Sequence, residues 1–444
     1  MAVEWPVLTI EEIAEKVAMG PFGSSIKVET FVPEGIPIIS GQHLHGFRVD
    51  DEAGFNFITQ EHAERLKNSN VQRGDIVVTH RGNIGQVAYI PEDSKFDRYV
   101  ISQSQFYMRC DRSKTIPEFV VAYFKTPEGQ HKLLANTSQV GVPSIAQPVT
   151  YLRTIELPLP PLPEQRAIAH ILSTLDDKIE LNRWMNETLE AIARAIFKSW
   201  FVDFDPVRAK AEGRDPGLPK HLADLFPDSF EDSELGEIPK GWKVKEIREC
   251  CSKIQNGGTP KRSESDYWNP GTIPWLTSSE VRQTLITATE NMISELGLKR
   301  SSAKWVPKDS TVVALYGATA GQVALISSKM TTNQAVCGLI PKAKFRYFNY
   351  LSLNRFVGIL ANLARGSAQQ NISKGIVETI KVIIPQVDIL ESFDHLVSSI
   401  FNKWVANLEE SKTLAALRDT LLPKLISGEL RVPDAEKIIK EANV

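Results

Sequence analysis

Leu157-Pro158-Leu159-Pro160-Pro161-Leu162-Pro163-Glu164 opens the most regular stretch of this 444-residue chain. Its prolines forbid a helix until the last of them. Pro163 suits a first helical turn, where a missing N–H costs nothing, and Glu164 is favourable beside the N-terminal dipole. From there Ile168, Leu172, Leu175, Ile179, Asn182, Asn186, Leu189, Ala193, Ile196 and Trp200 alternate spacings of four and three. That is the seam of a coiled coil with a polar break in its middle. It predicts a helix of about 35–40 residues, roughly 55 Å long, which cannot bury its seam alone.

The partner is written further along the same chain. Adding 225 to each seam position gives Phe393, Val397, Ile400, Trp404, Asn407, Ser411, Leu414, Arg418, Leu421 and Leu425, a second seam broken at the same place. Asp388 is the expected N-cap of this second helix. If the two helices pack antiparallel, residues near their midpoints face their equivalents. Asn182 is then expected beside Asn407, a buried polar pair that sets register at some cost in stability.

The repeat continues outside the helices. Trp5-Pro6-Val7-Leu8-Thr9-Ile10 returns 237 positions later as Trp242-Lys243-Val244-Lys245-Glu246-Ile247, and Gly85-Gln86-Val87-Ala88 returns as Gly321-Gln322-Val323-Ala324. The period is too long for a solenoid repeat, so each copy is a domain plus a helix. In the first copy, Gly74–Thr79, Gln86–Ile90 and Phe106–Met108 are strand-like and Ile116–Leu134 helix-like. Ser310–Leu315, Gln322–Ile326, Ala335–Ile340 and Phe348–Leu363 repeat that order. The fold class is therefore α+β: two similar mixed domains joined by an antiparallel helix pair. Residues 1–155 are the first domain, 156–235 the first helix with an ordered Pro/Gly-rich connector, 236–385 the second domain and 386–444 the second helical region.

The net charge of −3 conceals an asymmetry. Residues 236–385 carry twenty Lys and Arg against ten Asp and Glu, whereas 156–235 carry nine against sixteen. A basic domain suits a phosphate-rich partner; the first domain is not basic. No apolar run approaches the ~20 residues that span a bilayer, and Met-Ala-Val-Glu-Trp lacks the features of a signal peptide. Cys110, Cys250, Cys251 and Cys337 have no zinc-ligand spacing and read as reduced cytoplasmic thiols.

Enzymatic motifs fail one by one. Tyr316-Gly317-Ala318-Thr319-Ala320-Gly321 has the glycines of a nucleotide loop, but a strand-like run follows where a helix is needed. It is read as a β turn. No Walker A and no Asn-Pro-Pro-aromatic tetrad occurs, and His43 and His45 have no further ligands in pattern. What recurs in register is a set of polar loops: Arg81, Asn83 and Gln86 against Tyr316, Thr319 and Gln322; Ser102, Gln103 and Gln105 against Thr332, Asn333 and Gln334. Ser138, Gln139 and Ser144 likewise stand against Arg365, Gln369, Gln370 and Asn371, with Lys261 and Arg262 added from the basic copy. Gln, Asn and Arg can pair bidentately with base edges, and Ser and Thr can serve phosphates.

At this point the chain resembles the DNA-specificity subunits of type I restriction–modification enzymes. The resemblance lies in Pro160-Pro161-Leu162-Pro163-Glu164-Gln165-Arg166, Leu175-Asp176-Asp177-Lys178-Ile179-Glu180-Leu181-Asn182, Phe197-Lys198-Ser199-Trp200-Phe201 and Leu421-Leu422-Pro423-Lys424-Leu425-Ile426-Ser427-Gly428. Gln386-Val387-Asp388 departs from it, standing where a second Pro-Glu-Gln is expected. The resemblance implies two target-recognition domains, each reading half of an asymmetric, bipartite double-stranded DNA site, with the helices as spacer. It also implies that this chain is non-catalytic and binds no cofactor of its own. Two modification (methyltransferase) subunits and the restriction subunits would supply adenine methylation, translocation and cleavage, and would hold S-adenosylmethionine, ATP and Mg. The acidic helical region would dock the modification subunits. The rival reading is a two-domain protein-binding scaffold with a coiled-coil spacer; a stand-alone nuclease or methyltransferase lacks its motifs.

Overall fold

In a computed structural model of the chain, Leu162–Phe201 and Val387–Ile426 are continuous helices of 40 residues each, about 60 Å at 1.5 Å per residue. They begin and end 225 positions apart, the offset of their seams. Pro163 falls in the first turn of the first helix, as expected. The second starts at Val387, so Asp388 lies inside its first turn and is not the N-cap. The structure describes residues 5–442 except 22, 24, 139–140 and 367–370.

The chain divides into two units: one runs up to Leu181 and resumes at Glu410, the other is Asn182–Glu409. Each holds half of both long helices, and in each the halves run antiparallel. In the first unit, Lys178 pairs with Glu410 at 2.8 Å, Asp176 with Arg418, and Glu164 with Arg431. In the second, Phe201 meets Phe393 edge-on with ring centres 4.8 Å apart. The seam is apolar and buried at Ile168, Leu172, Leu175, Ala193 and Trp200, and at Phe393, Val397, Trp404, Leu414, Leu421 and Leu425.

The polar break is buried too. Asn182 is 1% exposed, Asn186 7% and Asn407 0%. The Asn407 Nδ2 donates to Asn186 Oδ1 at 3.0 Å, a contact one turn along from the Asn182–Asn407 pairing expected from the sequence. The heptad brings residues 3 and 4 apart to one face, so both Asn182 and Asn186 reach the seam.

Both units build the same two sheets. In the first unit, Ala14–Met19, Gln105–Cys110, Asp75–Thr79 and Val87–Tyr89 form an antiparallel sheet in that spatial order. In the second, Cys251–Asn256, Val336–Pro341, Thr311–Ala314 and Val323–Ile326 do the same, and Leu285–Ile286 adds a fifth strand. Even an irregularity recurs: register slips between Ala14 and Lys16, and between Cys251 and Lys253. The other sheet runs Asn56–Ile58, Ile36–Ile39, Arg98–Ile101, Asn70–Gln72, matched by Asn291–Ile293, Ile273–Leu276, Met330–Thr332, Trp305–Val306.

Two expectations need correction. Ile116–Leu134 is two helices, Pro117–Lys125 and Pro127–Leu134. Pro127 cannot continue the first helix, and Thr126 caps the second by accepting from Gly129 N at 2.9 Å. Phe348–Leu363 is likewise divided, into Arg346–Asn354 and Val357–Arg365. The connector is ordered: it contains the helix Asp205–Ala211 and a hairpin pairing Phe230–Ser233 with Gly236–Pro239.

Gln165 ties the first long helix to its domain. It is fully buried, accepts from Thr115 Oγ1 at 2.9 Å and Ile116 N at 3.2 Å, and donates to Pro160 O at 2.8 Å and Lys114 O at 3.0 Å. Every polar atom of a buried amide is thereby satisfied. At the equivalent position stands Leu390, 1% exposed. The second copy therefore makes this junction by apolar packing, which accounts for its departure from Pro-Glu-Gln.

Candidate nucleic-acid interface

In the first unit three of the recurring loops are fastened together through the main chain. Strand Asp75–Thr79 ends in the turn His80–Gly85, with Gly85 at a φ of 85° that favours glycine. His80 N donates to Ser104 O at 2.9 Å, Ile145 N to His80 O at 2.8 Å, and Gly82 N to Pro143 O at 3.0 Å. Arg81 and Ser144 form a bridge. The second unit repeats this: Leu315 N donates to Ala335 O and Ile372 N to Leu315 O, both at 2.8 Å, and Tyr316 bridges Asn371. The turn there is a single 3₁₀ turn, Gly317–Thr319, and strand Val323–Ile326 follows it where a nucleotide loop would need a helix.

A further loop joins each set at a glycine. A Cβ on Gly20 would lie 2.1 Å from Ser102 O, and one on Gly257 would lie 1.8 Å from Thr332 O. Only glycine permits that approach. In the second unit this loop carries Lys261 and Arg262, and Thr259 Oγ1 is hydrogen-bonded to Gln334 Oε1.

The candidate side chains separate into two groups. Arg81, Asn83, Gln103 and Ser138 of the first unit are exposed, as are Lys261, Arg262, Tyr316, Gln334 and Arg365 of the second. Ser102, Ser144, Gln322, Asn333 and Asn371 are half-buried. Gln105, Thr319 and Thr332 are buried at 1%, 4% and 0% exposure, a correction to their reading as contact residues. Gln105 accepts from Ser102 Oγ and donates to Thr79 Oγ1, so it stiffens the loop from inside. Gln86 is also turned inward, donating to Gly41 O at 3.0 Å. Gln139, Gln369 and Gln370 lie outside the described residues.

Sequence reasoning missed His80, 8% exposed at the centre of the first set. Burial, with Arg81 adding to it, holds its imidazole below the usual range, so it is neutral near pH 7. His43 is a structural residue: its Nδ1 accepts from Ser40 N at 3.0 Å, and its ring stacks on Phe55. Among the described residues no cluster of three His, Cys, Asp or Glu could hold a metal ion. The four cysteines are free and buried, and burial raises their thiols to about 12. No helix of the described residues is long and apolar enough to cross a membrane.

Two copies of one loop-bearing scaffold are what the family comparison also finds: the model for the type I restriction modification DNA specificity domain matches residues 2–191 and again 239–416. The chain belongs to that specificity family. A type I restriction enzyme HindI specificity subunit from Haemophilus influenzae is 31% identical over 408 residues, covering 81% of this chain and 87% of that protein. The MjaIX specificity subunit from Methanocaldococcus jannaschii is 27% identical over 436 residues, covering 97% and 94%. The fold of the specificity family is also seen in the crystal structure of a type I restriction–modification S subunit from M. genitalium, with a TM-score of 0.61, 17% identity and 96% of each chain covered.

Proposed function

We propose that each unit reads one half of an asymmetric, bipartite double-stranded DNA site through its fastened loops. On this reading the two long helices set the spacer and dock two modification subunits. Adenine methylation, ATP-driven translocation and cleavage, with S-adenosylmethionine, ATP and Mg, then belong to the modification and restriction subunits of a cytoplasmic complex. One observation carries the reading. The same main-chain fastening recurs in both units, while the exposed side chains it presents differ, Arg81 and Asn83 in one and Tyr316 in the other. A shared frame with unlike contents suits two unlike half-sites, and the excess of basic residues in 236–385 suits phosphate contact.

The test is long-read mapping of DNA methylation in cells expressing the chain with its modification subunit. A second strain carries residues 236–385 exchanged for the matching domain of another family member. A split motif that changes in one half only is the expected result. Methylation with no split motif, or a motif indifferent to the exchange, would leave the protein-binding scaffold as the better account.

A further inference from the structure

The second sheet of the second unit carries three indoles on one face. Trp275 and Trp305 both stand opposite Thr331 in the strand register, so their side chains leave the sheet on the same side. Trp268 meets Trp275 edge-on, with ring centres 5.1 Å apart and planes at 86°. Both of these indole N–H groups are spent on the loop that begins at Gly257: Trp275 Nε1 donates to Gly258 O at 3.0 Å and Trp268 Nε1 to Lys261 O at 3.2 Å. The corner between the two rings is filled by Arg262. Its guanidinium carbon lies 4.3 Å from the Trp268 centre and 5.3 Å from that of Trp275.

The polar edge of that guanidinium is unused. Among the described residues it makes no hydrogen bond and no ion pair, although it is exposed. The nearby Glu264 is engaged by Lys261 at 2.8 Å. A cation–π contact restrains an arginine without consuming its donors. What remains is a guanidinium held against both rings with its N–H donors free before any partner arrives. Its matching acceptor is a pair of coplanar atoms such as O6 and N7 of guanine in the major groove. Lys329, 4.0 Å above the Trp305 ring on the same face, is a point charge and suits a phosphate.

We propose that Arg262 reads a guanine in the half-site assigned to residues 236–385, with Trp268 and Trp275 as positioning residues. The proposal rests on the DNA-reading function above. It is tested with the full chain and its modification subunit, mapping methylation for Arg262→Ala, Arg262→Lys and Lys329→Ala. Arg262→Ala and Arg262→Lys are expected to relax one guanine position in the half that moves with the domain exchange, cutting discrimination there by about tenfold to a hundredfold. Lys329→Ala should lower methylation at all sites and leave the motif intact. An unchanged motif in Arg262→Ala, or a half-site without guanine, overturns the proposal. So does an intact motif in Arg262→Lys with a uniform loss in Arg262→Ala, which would make Arg262 a phosphate contact. If Arg262→Ala abolishes methylation altogether, the motif of Arg262→Lys decides. A parent protein with no split motif would instead sink the DNA reading itself.

Discussion

Asn407 and Asn186 face each other inside a seam that is apolar over most of its length. Replacing Asn407 alone by Leu strands the Asn186 amide in that seam and should cost about 1–3 kcal/mol. Replacing both should recover most of the loss, so that a double-mutant cycle in urea gives a coupling of at least about 1 kcal/mol. If the pair also sets register, the double variant should show additional species in sedimentation. A single unchanged species would place register elsewhere. Lys125, a half-buried lysine of the first unit, also has a measurable signature. Its Nζ lies 5.1 Å from the Phe47 ring centre, and burial lowers its ammonium to about 8, with Asp176 opposing and Arg418 reinforcing that shift. The folded value lies below the unfolded value of about 10.4, so folding favours the neutral form and stability falls as pH drops from 10.4 through 8. Lys125→Met should therefore melt higher than the parent at pH 7. The gap should close between pH 8 and 10.5, and a constant gap would mean that the fold does not lower the Lys125 ammonium.

At the scale of elements, the close approaches at Gly20 and Gly257 make a paired prediction. Gly257→Ala would drive a Cβ into Thr332 O and should cost about 1–3 kcal/mol through the backbone shift it forces. Gly20→Ala should do the same in the first unit. Thermal unfolding checks both, and a neutral Gly257→Ala would show that the loop is loosely held. These elements also mark how far the sequence could be read. The long helices were legible because a seam of ten positions, stated twice, leaves little choice of period or phase. The strand order was legible only as a repeat, since pairing across distant segments leaves no local mark. Pro127 broke a helix that its apolar pattern had joined, a case of backbone chemistry overriding periodicity. At the candidate interface, the loops were legible and their contents were not. Gln105, Gln86 and Thr332 look like surface residues by type, and only the folded chain turns them inward. Trp268 and Trp275 were visible beside Lys261 and Arg262, yet their right-angle meeting depends on a loop conformation that no spacing encodes.

For the molecule as a whole, the proposed spacer role gives a metric prediction. Removing seven residues from each long helix shortens it by about 10 Å, roughly three base pairs at 3.4 Å each. Methylation mapping should then report half-sites about three base pairs closer, or no methylation. An unchanged spacer would dissociate helix length from site geometry. The charge distribution bears on the same scale. Exchanging 236–385 for a less basic domain should flatten the dependence of binding on salt. The fastening of the loops has one more consequence. His80 to Ser104, Ile145 to His80, Leu315 to Ala335 and Ile372 to Leu315 are all amide-to-carbonyl contacts, which any residue but proline can donate. The frame is thus indifferent to most of the letters written on it. Such a chain can drift toward a new target by changing the tips of its loops, one at a time, without first losing the ability to fold.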